Sequence, residues 1–414
     1  MASIFKGIRV IDLTNNMAGP LCTQMLATYG AEVLKIERPV AGDDTRAVAP
    51  IIEGQSLNYI WANLGKKSVT LDLKDIRAQD ALHKLARTAD VFVESYRPGT
   101  LKKYNLDYER IREINPNIVY CSISMGGQTG VYSRRPGFDI IAQAMSGLMD
   151  MTGESDGPPT KFGTVVGDYV GGINAFAGVT AALLYRERGG TGQYIDISLL
   201  DGLIGINTHI DQAATLGTKP TRLGNHHNTV APYGVFSGNH GESCIIAAYT
   251  AGMWKRLCAA MERPDMEADP RFQSNAARTE HLAELVENIE EWLKKFDHID
   301  EAVEILSNNE VAVGKICSVY EVANNPVHWV TIIMSIVVHE TSRAILLLTA
   351  YKPGGKFGAL QIDLSTDKVL SFQEKPEGDR NWINAGYFVC EPEVFGYIPE
   401  NDDMAIFERT PLGV

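Results

Sequence analysis

Four short segments of the chain carry residue types that could do chemistry. The stretch Thr164-Val165-Val166-Gly167-Asp168-Tyr169-Val170-Gly171-Gly172 sets a carboxylate between glycines, just before a long apolar helical pattern. Its local pattern reads two ways. Asp168 is either a helix N-cap, or a nucleophile to which the glycines give a bulky ligand close access. Ala18-Gly19-Pro20 follows the first strand pattern and opens a helix. It is either a tight turn or a place where backbone N–H groups face a ligand. Arg38, in Glu37-Arg38-Pro39, and Arg97, in Arg97-Pro98-Gly99, each follow a strand pattern. In an open α/β sheet that edge is where ligands bind, and a guanidinium there suits a phosphate or the face of a purine; a solvated surface arginine is the plain alternative. The adjacent His226 and His227 have no carboxylate or thiol at ligand spacing and read as a polar loop, not a metal site. The sequence lacks G-x-x-x-x-G-K-[ST], a strand-borne G-x-G-x-x-G and H-E-x-x-H.

The elements that must position these residues alternate. Strand patterns at 8–13, 32–37, 68–73, 91–94, 118–124 and 194–199 are separated by helical patterns such as 22–29, 76–88, 140–149 and 171–185. Alternation of this kind predicts an α/β fold with a largely parallel sheet. A smaller α+β unit comes next: antiparallel strands within 232–250 around a Gly238-Asn239-His240-Gly241 turn, then helices over 253–261, 280–296 and 299–306. Past Trp329 the pattern changes to short strands with turns, at 360–364, 369–373 and 385–389, after Pro353-Gly354-Gly355.

The 414 residues are 45% hydrophobic and 21% charged, long enough for two or three domains with a real core. A net charge of −13 argues against nucleic acid or an anionic membrane as the partner. The longest apolar run, 330–351, is broken by His339, Glu340 and Arg343, so no membrane span is read, and the N-terminus has no secretory pattern. The six cysteines stand singly and read as reduced core thiols of a cytoplasmic protein.

Taken together, the segments resemble the family III CoA-transferases, the group that includes carnitine and bile-acid CoA-transferases. The matching residues are Gly7–Leu13, Ala18-Gly19-Pro20, Gly30 through Glu37-Arg38-Pro39, Asn63 to Leu73 with Lys66-Lys67-Ser68, Ala89 to Leu101, Asn115-Pro116, Ser122 to Gly130, Gly137-Phe138-Asp139 and Gly167-Asp168. Trp254, Asp269-Pro270-Arg271-Phe272 and Arg278 fit the family's small domain. The resemblance covers residue 1 to about 329. It implies a Rossmann-like parallel-sheet large domain with a smaller α+β domain, and CoA transfer from an acyl-CoA to a small carboxylic acid. Asp168 matches the catalytic aspartate, which passes through an aspartyl-CoA thioester. The resemblance further implies CoA contacts from Ala18, Gly19, Arg38, Leu71, Arg97 and Lys102, with Arg38 at the adenine and Arg97 at a phosphate. It implies CoA thioester as substrate with no permanently bound cofactor and no metal, and an interlocked homodimer. Backbone N–H groups of the Ala18–Pro20 turn or beside Asp168 could hold the thioester oxyanion.

The family's racemases shuttle a proton between a His and an Asp; here Phe138 stands in the His position and cannot carry one. The oligoglycine lid of some members has only Gly224 in Gly224-Asn225-His226-His227-Asn228, and Met17 and Ser95-Tyr96 differ from the residues of better-known members. Residues 348–412 instead resemble the middle of a glucose-1-phosphate cytidylyltransferase, through Lys356-Phe357-Gly358-Ala359-Leu360, Ser371 to Pro376, Gly378-Asp379, Trp382 to Gly386 and Glu391-Pro392. The nucleotide-binding loop and metal-binding aspartate of that family have no counterpart, so an α/β nucleotidyltransferase-like tail without nucleotidyl transfer is expected. The expected layout is a CoA-binding catalytic domain at 1–200, a linker at 201–225, a small domain at 226–329 and the cytidylyltransferase-like fragment at 330–414. A catalytically impaired chimera that at most binds CoA, or an acyl-CoA racemase of the same family, is the alternative activity.

Overall fold

A computed structural model of the chain describes residues 4–222, 224–227 and 229–325, and beyond them the backbone of four strands between residues 346 and 390. By its contacts the chain divides into Ile4–Ile316 and a second unit made mainly of Cys317–Val414.

Six strands form one parallel sheet: β1 (Arg9–Leu13), β2 (Glu32–Glu37), β3 (Lys67–Thr70), β4 (Val91–Glu94), β5 (Val119–Ser124) and β6 (Tyr194–Ser198). Their spatial order is β3-β2-β1-β4-β5-β6. The apolar runs of β1, β4 and β5 are buried almost throughout, as a parallel sheet covered on both faces requires. Alternate residues feed two cores. Val10, Val91, Val93, Val119 and Cys121 meet Cys22, Leu26, Ala175 and Val179 of α1 (Ala18–Thr28) and a long later helix. Ile11, Phe92 and Tyr120 on the opposite face meet Leu82, Ala86 and Ile111, which belong to α2 (Ile76–Ala86) and α3 (Tyr108–Ile114). The chain runs from β1 outward to β2 and β3, then returns to β4 and continues the other way. This reversal between β1 and β4 opens a crevice at the C-terminal ends of the strands.

Four buried charges reinforce that edge. Lys66 donates to Asp12 at 3.0 Å, to the Pro20 carbonyl at 2.9 Å and to Asn63 at 2.8 Å. Lys35 pairs with Asp43 at 2.8 Å and donates to the Thr14 carbonyl. Burial alone would raise the Asp12 carboxyl, but the two ammoniums and the hydroxyls of Thr14 and Thr23 outweigh it and bring it to about 2.

The sheet strands lie within a residue or two of expectation, except that the 68–73 pattern ends at Thr70, with Leu71 making only one further bond, to the Glu37 carbonyl. The smaller sheet contains β7 (Tyr233–Ser237), β8 (Ser243–Ala247) and β9 (Ala312–Lys315), antiparallel in the order β9-β8-β7. Phe236, Cys244, Trp254, Leu257, Phe272, Ile289 and Trp292 fill its core. The expected helix over 280–296 runs from Leu282 to Leu293, and a separate short helix, Asn275–Glu280, precedes it. Arg278 lies in that short helix. It is buried and donates to the carbonyls of Ala231, Phe272 and Tyr249, which fixes its short helix independently of the next one. Cysteines 22, 121, 244 and 258 are buried as expected, whereas Cys317 is exposed, because it lies past the last strand of this unit.

In the second unit the four strands Leu346–Tyr351, Ala359–Asp363, Lys368–Gln373 and Trp382–Cys390 form one antiparallel sheet. The Glu374-Lys375-Pro376, Gly378-Asp379 and Glu391-Pro392 segments lie outside the described residues.

Candidate active site

Asp168 stands in the first turn of α5, the helix Val166–Glu187 that comes after α4 (Asp139–Met145). It is not the N-cap. That position belongs to Val165, whose side chain has no capping bond. The capping work is done from another element: Asp139 accepts the Gly167 N–H at 2.6 Å through one oxygen and Gln143 Nε2 at 2.6 Å through the other. Gln143 in turn accepts the Phe162 N–H at 2.9 Å. Asp139 and Gln143 sit one helical turn apart on α4 and together clamp the segment that leads into Asp168.

The glycines around Asp168 serve this packing. A Cβ on Gly167 would lie 2.8 Å from the Asp139 carboxylate, and one on Gly172 would lie 2.8 Å from the Ala18 carbonyl oxygen. Gly171 and Gly172 lie three and four residues past Asp168, hence on the same helix face one turn along. The N-terminus of α1 therefore packs on α5 one turn past Asp168, with Ala18 against Gly171 and Gly172. Ala18 and Gly19 are buried. Among the described residues nothing accepts their N–H groups, which are two of the orphan donors of a first turn. The N–H of Gly167 is already taken by Asp139.

No described residue hydrogen-bonds the Asp168 carboxylate. A first-turn position should favour its anion, but burial outweighs that, and the Asp139 charge adds to it, so that Asp168 is pushed up to about 7.

The remaining residues expected at the site share the C-terminal edge of the sheet. Arg38 comes directly after β2, Leu71 after β3 and Arg97 after β4, and Lys102 lies in the 3₁₀ turn Leu101–Tyr104. Arg38 is exposed and ion-paired with Asp44. Arg97 and Lys102 are exposed with no partner among the described residues, and Leu71 packs on the same core as Tyr96. Arg97 and Lys102 also line a cavity of about 50 Å³ with Glu94, Tyr120, Ser122, Gln128 and Tyr194. Glu94 is buried there, and burial, with the nearby Asp196 charge, raises its carboxyl to about 7. The histidine pair is part of the small sheet's margin: His226 bridges to Gly234 and the His227 N–H bonds the Tyr233 carbonyl.

Residues 5–349 match CoA-transferase family III, and residues 332–408 match the nucleotidyl transferase family. An acetyl-CoA:oxalate CoA-transferase of Acetobacter aceti is 38% identical over 78% of this chain and 83% of its own length. A succinate–glutarate CoA-transferase of Agrobacterium fabrum is 39% identical over 78% of this chain and 82% of its own. A succinyl-CoA:mesaconate CoA-transferase of Haloarcula hispanica is 40% identical over 70% and 75%. A CAIB/BAIF family protein from Brucella suis superposes with a TM-score of 0.72 at 35% identity, covering 80% of this chain and 88% of that one.

Proposed function

This chain belongs to CoA-transferase family III, and on that premise we propose that it moves coenzyme A from an acyl-CoA thioester to a short dicarboxylate through an aspartyl-CoA thioester on Asp168. One observation carries the reading: a half-buried carboxylate without a hydrogen-bond partner, beside the open N–H groups at the start of α1. A carboxylate is a weak nucleophile in water. Here solvent is largely removed from it, and no hydrogen bond has to be broken before it attacks.

In the proposed sequence an Asp168 oxygen attacks the thioester carbonyl, the C–S bond breaks, and the CoA thiolate leaves an acyl–aspartyl anhydride. The thiolate returns to the Asp168 carbonyl and expels the donor acid, which leaves the aspartyl-CoA thioester. The acceptor carboxylate then attacks that thioester, and the released thiolate takes the acceptor's acyl group and frees Asp168. The Ala18 and Gly19 N–H groups face the oxyanion of these steps. Asp139 and Gln143 hold the start of α5 still, while Arg38, Leu71, Arg97 and Lys102 receive the nucleotide end of CoA. The acceptor class is taken from the substrates in the relatives' names: oxalate, glutarate and mesaconate.

The proposal includes a catalytic domain at 1–200, a linker at 201–225, a small domain at 226–329 and a tail at 330–414, supported by cores that, apart from Leu203, draw their buried residues from either side of the linker. It also includes a cytoplasmic homodimer. Leu57, Ile60 and Trp61 of one short helix are more than a third exposed, apolar surface that a second copy would cover. Among the described residues no helix is long and apolar enough to cross a membrane. The match of 332–408 to a second family favours one rival, a chimera that binds CoA without turning it over.

Mass spectrometry separates the two. The full chain is incubated with acetyl-CoA and succinyl-CoA, trapped with hydroxylamine or borohydride, and the modified peptide mapped. Modification at Asp168 is expected, with transfer to oxalate or glutarate. Asp168→Ala should bind CoA nearly as well and lose turnover; substantial residual transfer by that variant would remove the covalent mechanism.

A further inference from the structure

We propose that Asn15 is a positioning residue that holds Arg38 and Arg97 at a fixed spacing for the two ends of one phosphorylated nucleotide. The inference rests on the reading that both arginines face CoA. Asn15 lies just past β1, at the reversal point of the sheet, and its backbone groups are committed to one neighbouring loop and its side-chain amide to another. Its N–H donates to Ser95 Oγ at 2.9 Å, and its carbonyl oxygen lies 3.5 Å from the same hydroxyl. Its side-chain oxygen accepts the Asp44 N–H at 2.9 Å, and its side-chain nitrogen donates to the Asp44 carboxylate. Asp44 is the residue that ion-pairs Arg38. Ser95 lies two residues before Arg97, and the intervening Tyr96 N–H is fixed by the Glu94 carboxylate at 2.7 Å.

A continuous series of bonds therefore runs Arg38–Asp44–Asn15–Ser95 and, through the backbone, to Arg97. It joins the loops after β2, β1 and β4, and Asn15 is the one residue in it that touches both arms. An arginine on a mobile loop costs side-chain and loop entropy each time it meets a phosphate. Two arginines already held in register have given up part of that freedom before the ligand arrives.

These loops also have anchors independent of the Asn15 side chain. The Asn16 N–H bonds Asp43, which pairs with buried Lys35, and Arg46 makes a bidentate contact with Glu37. Removal of the Asn15 amide should therefore loosen the spacing without unfolding the edge.

Calorimetric titration of the full-length chain with coenzyme A tests this, alongside KM and kcat for the acyl-CoA. Asn15→Ala should weaken CoA binding about tenfold and raise KM in step, with kcat changed less than twofold. In an Arg38→Ala/Arg97→Ala background the same substitution should have no further effect on CoA affinity, because Asn15 acts only through those groups. Asn15→Asp sets two carboxylates face to face and should be at least as weak as Asn15→Ala. Asn15→Ser, which also removes the side-chain amide bonded to Asp44, should weaken CoA binding to a similar degree and supplies the test should Asn15→Ala fold poorly. If both Asn15 variants bind CoA normally while Arg38→Ala and Arg97→Ala each weaken it, the positioning role is overturned and the CoA reading stands. An equal loss with and without the arginines also overturns it. If neither arginine substitution affects CoA binding, the underlying reading fails and the inference with it.

Discussion

Asp168 sits where two electrostatic effects oppose each other. The start of a helix favours an anion, by a few tenths to about 1 kcal/mol at an exposed site. Burial and the neighbouring Asp139 oppose it and win, placing the carboxyl near 7. In the proposed mechanism the ionised form of Asp168 attacks, so kcat/KM should rise with pH through about 7 and level off above it. A profile flat from pH 5 to 9 would separate Asp168 from the rate-determining chemistry. Asp139→Asn removes the smaller of the two causes, so it should move the midpoint to lower pH by only part of the shift, while Gly167 keeps an oxygen acceptor. The same titration affects stability. Between the usual aspartate value and about 7 the folded chain keeps a proton that the unfolded chain has lost, so stability falls as pH rises through that window. Asp168→Asn should accordingly unfold at higher urea than the parent at pH 8, by about 1–2 kcal/mol once solvent screening is allowed for, and match it near pH 4. Asp168 itself was legible in the sequence. Asp139 entered only through a family resemblance, because its partner Gly167 is 28 residues away and no local pattern announces the bond.

The element that carries Asp168 is placed by close packing of two helices. α1 approaches α5 until the Ala18 carbonyl lies 2.8 Å, and the Leu21 side chain 2.9 Å, from where a Gly172 Cβ would be. Backbone cannot retreat as a flexible side-chain end can, so Gly172→Ala should cost about 1–3 kcal/mol by overpacking. It should also lower kcat more than it raises KM for CoA, because it displaces the Ala18–Gly19 N–H groups relative to Asp168 and leaves the arginine edge alone. Urea unfolding together with steady-state kinetics reads both effects, and a stable variant with unchanged kcat would break the proposed link between α1 and the oxyanion. At this scale the sequence was most readable where periodicity is strong. The strands of the parallel sheet are apolar runs between amphipathic helices, and their order of appearance is the alternation itself. Interactions between distant residues were not readable. The guanidinium of Arg278 bonds carbonyls of residues 231, 249 and 272, and no local pattern announces those partners. The glycines near Asp168, for which ligand access was one of two readings, clear Ala18 and Asp139.

Across the whole molecule, the catalytic unit either stands alone or depends on the segment C-terminal to it. Matches to two families overlap between residues 332 and 349, so the second family's segment begins inside the span of the first. Yet among the described residues the three apolar cores draw their buried residues from Phe5 to Val311, and the unit Ile4–Ile316 includes both Asp168 and the arginine edge. Core burial is the main source of cooperative stability, so a unit whose cores are complete should melt as one without the tail. A chain ended after Asn325 is therefore expected to keep the main thermal transition within about 3 °C of the full chain, a shift worth about 2 kcal/mol at this size. It should also acquire the same acyl-CoA-dependent modification at Asp168. If the shortened chain melts early or aggregates, residues past 325 contribute to the stability of the first unit. If it melts normally but is no longer modified, the tail supplies part of the reacting site. Normal melting with normal modification would make the segment matching nucleotidyl transferases a passenger on a self-sufficient CoA-transferase unit.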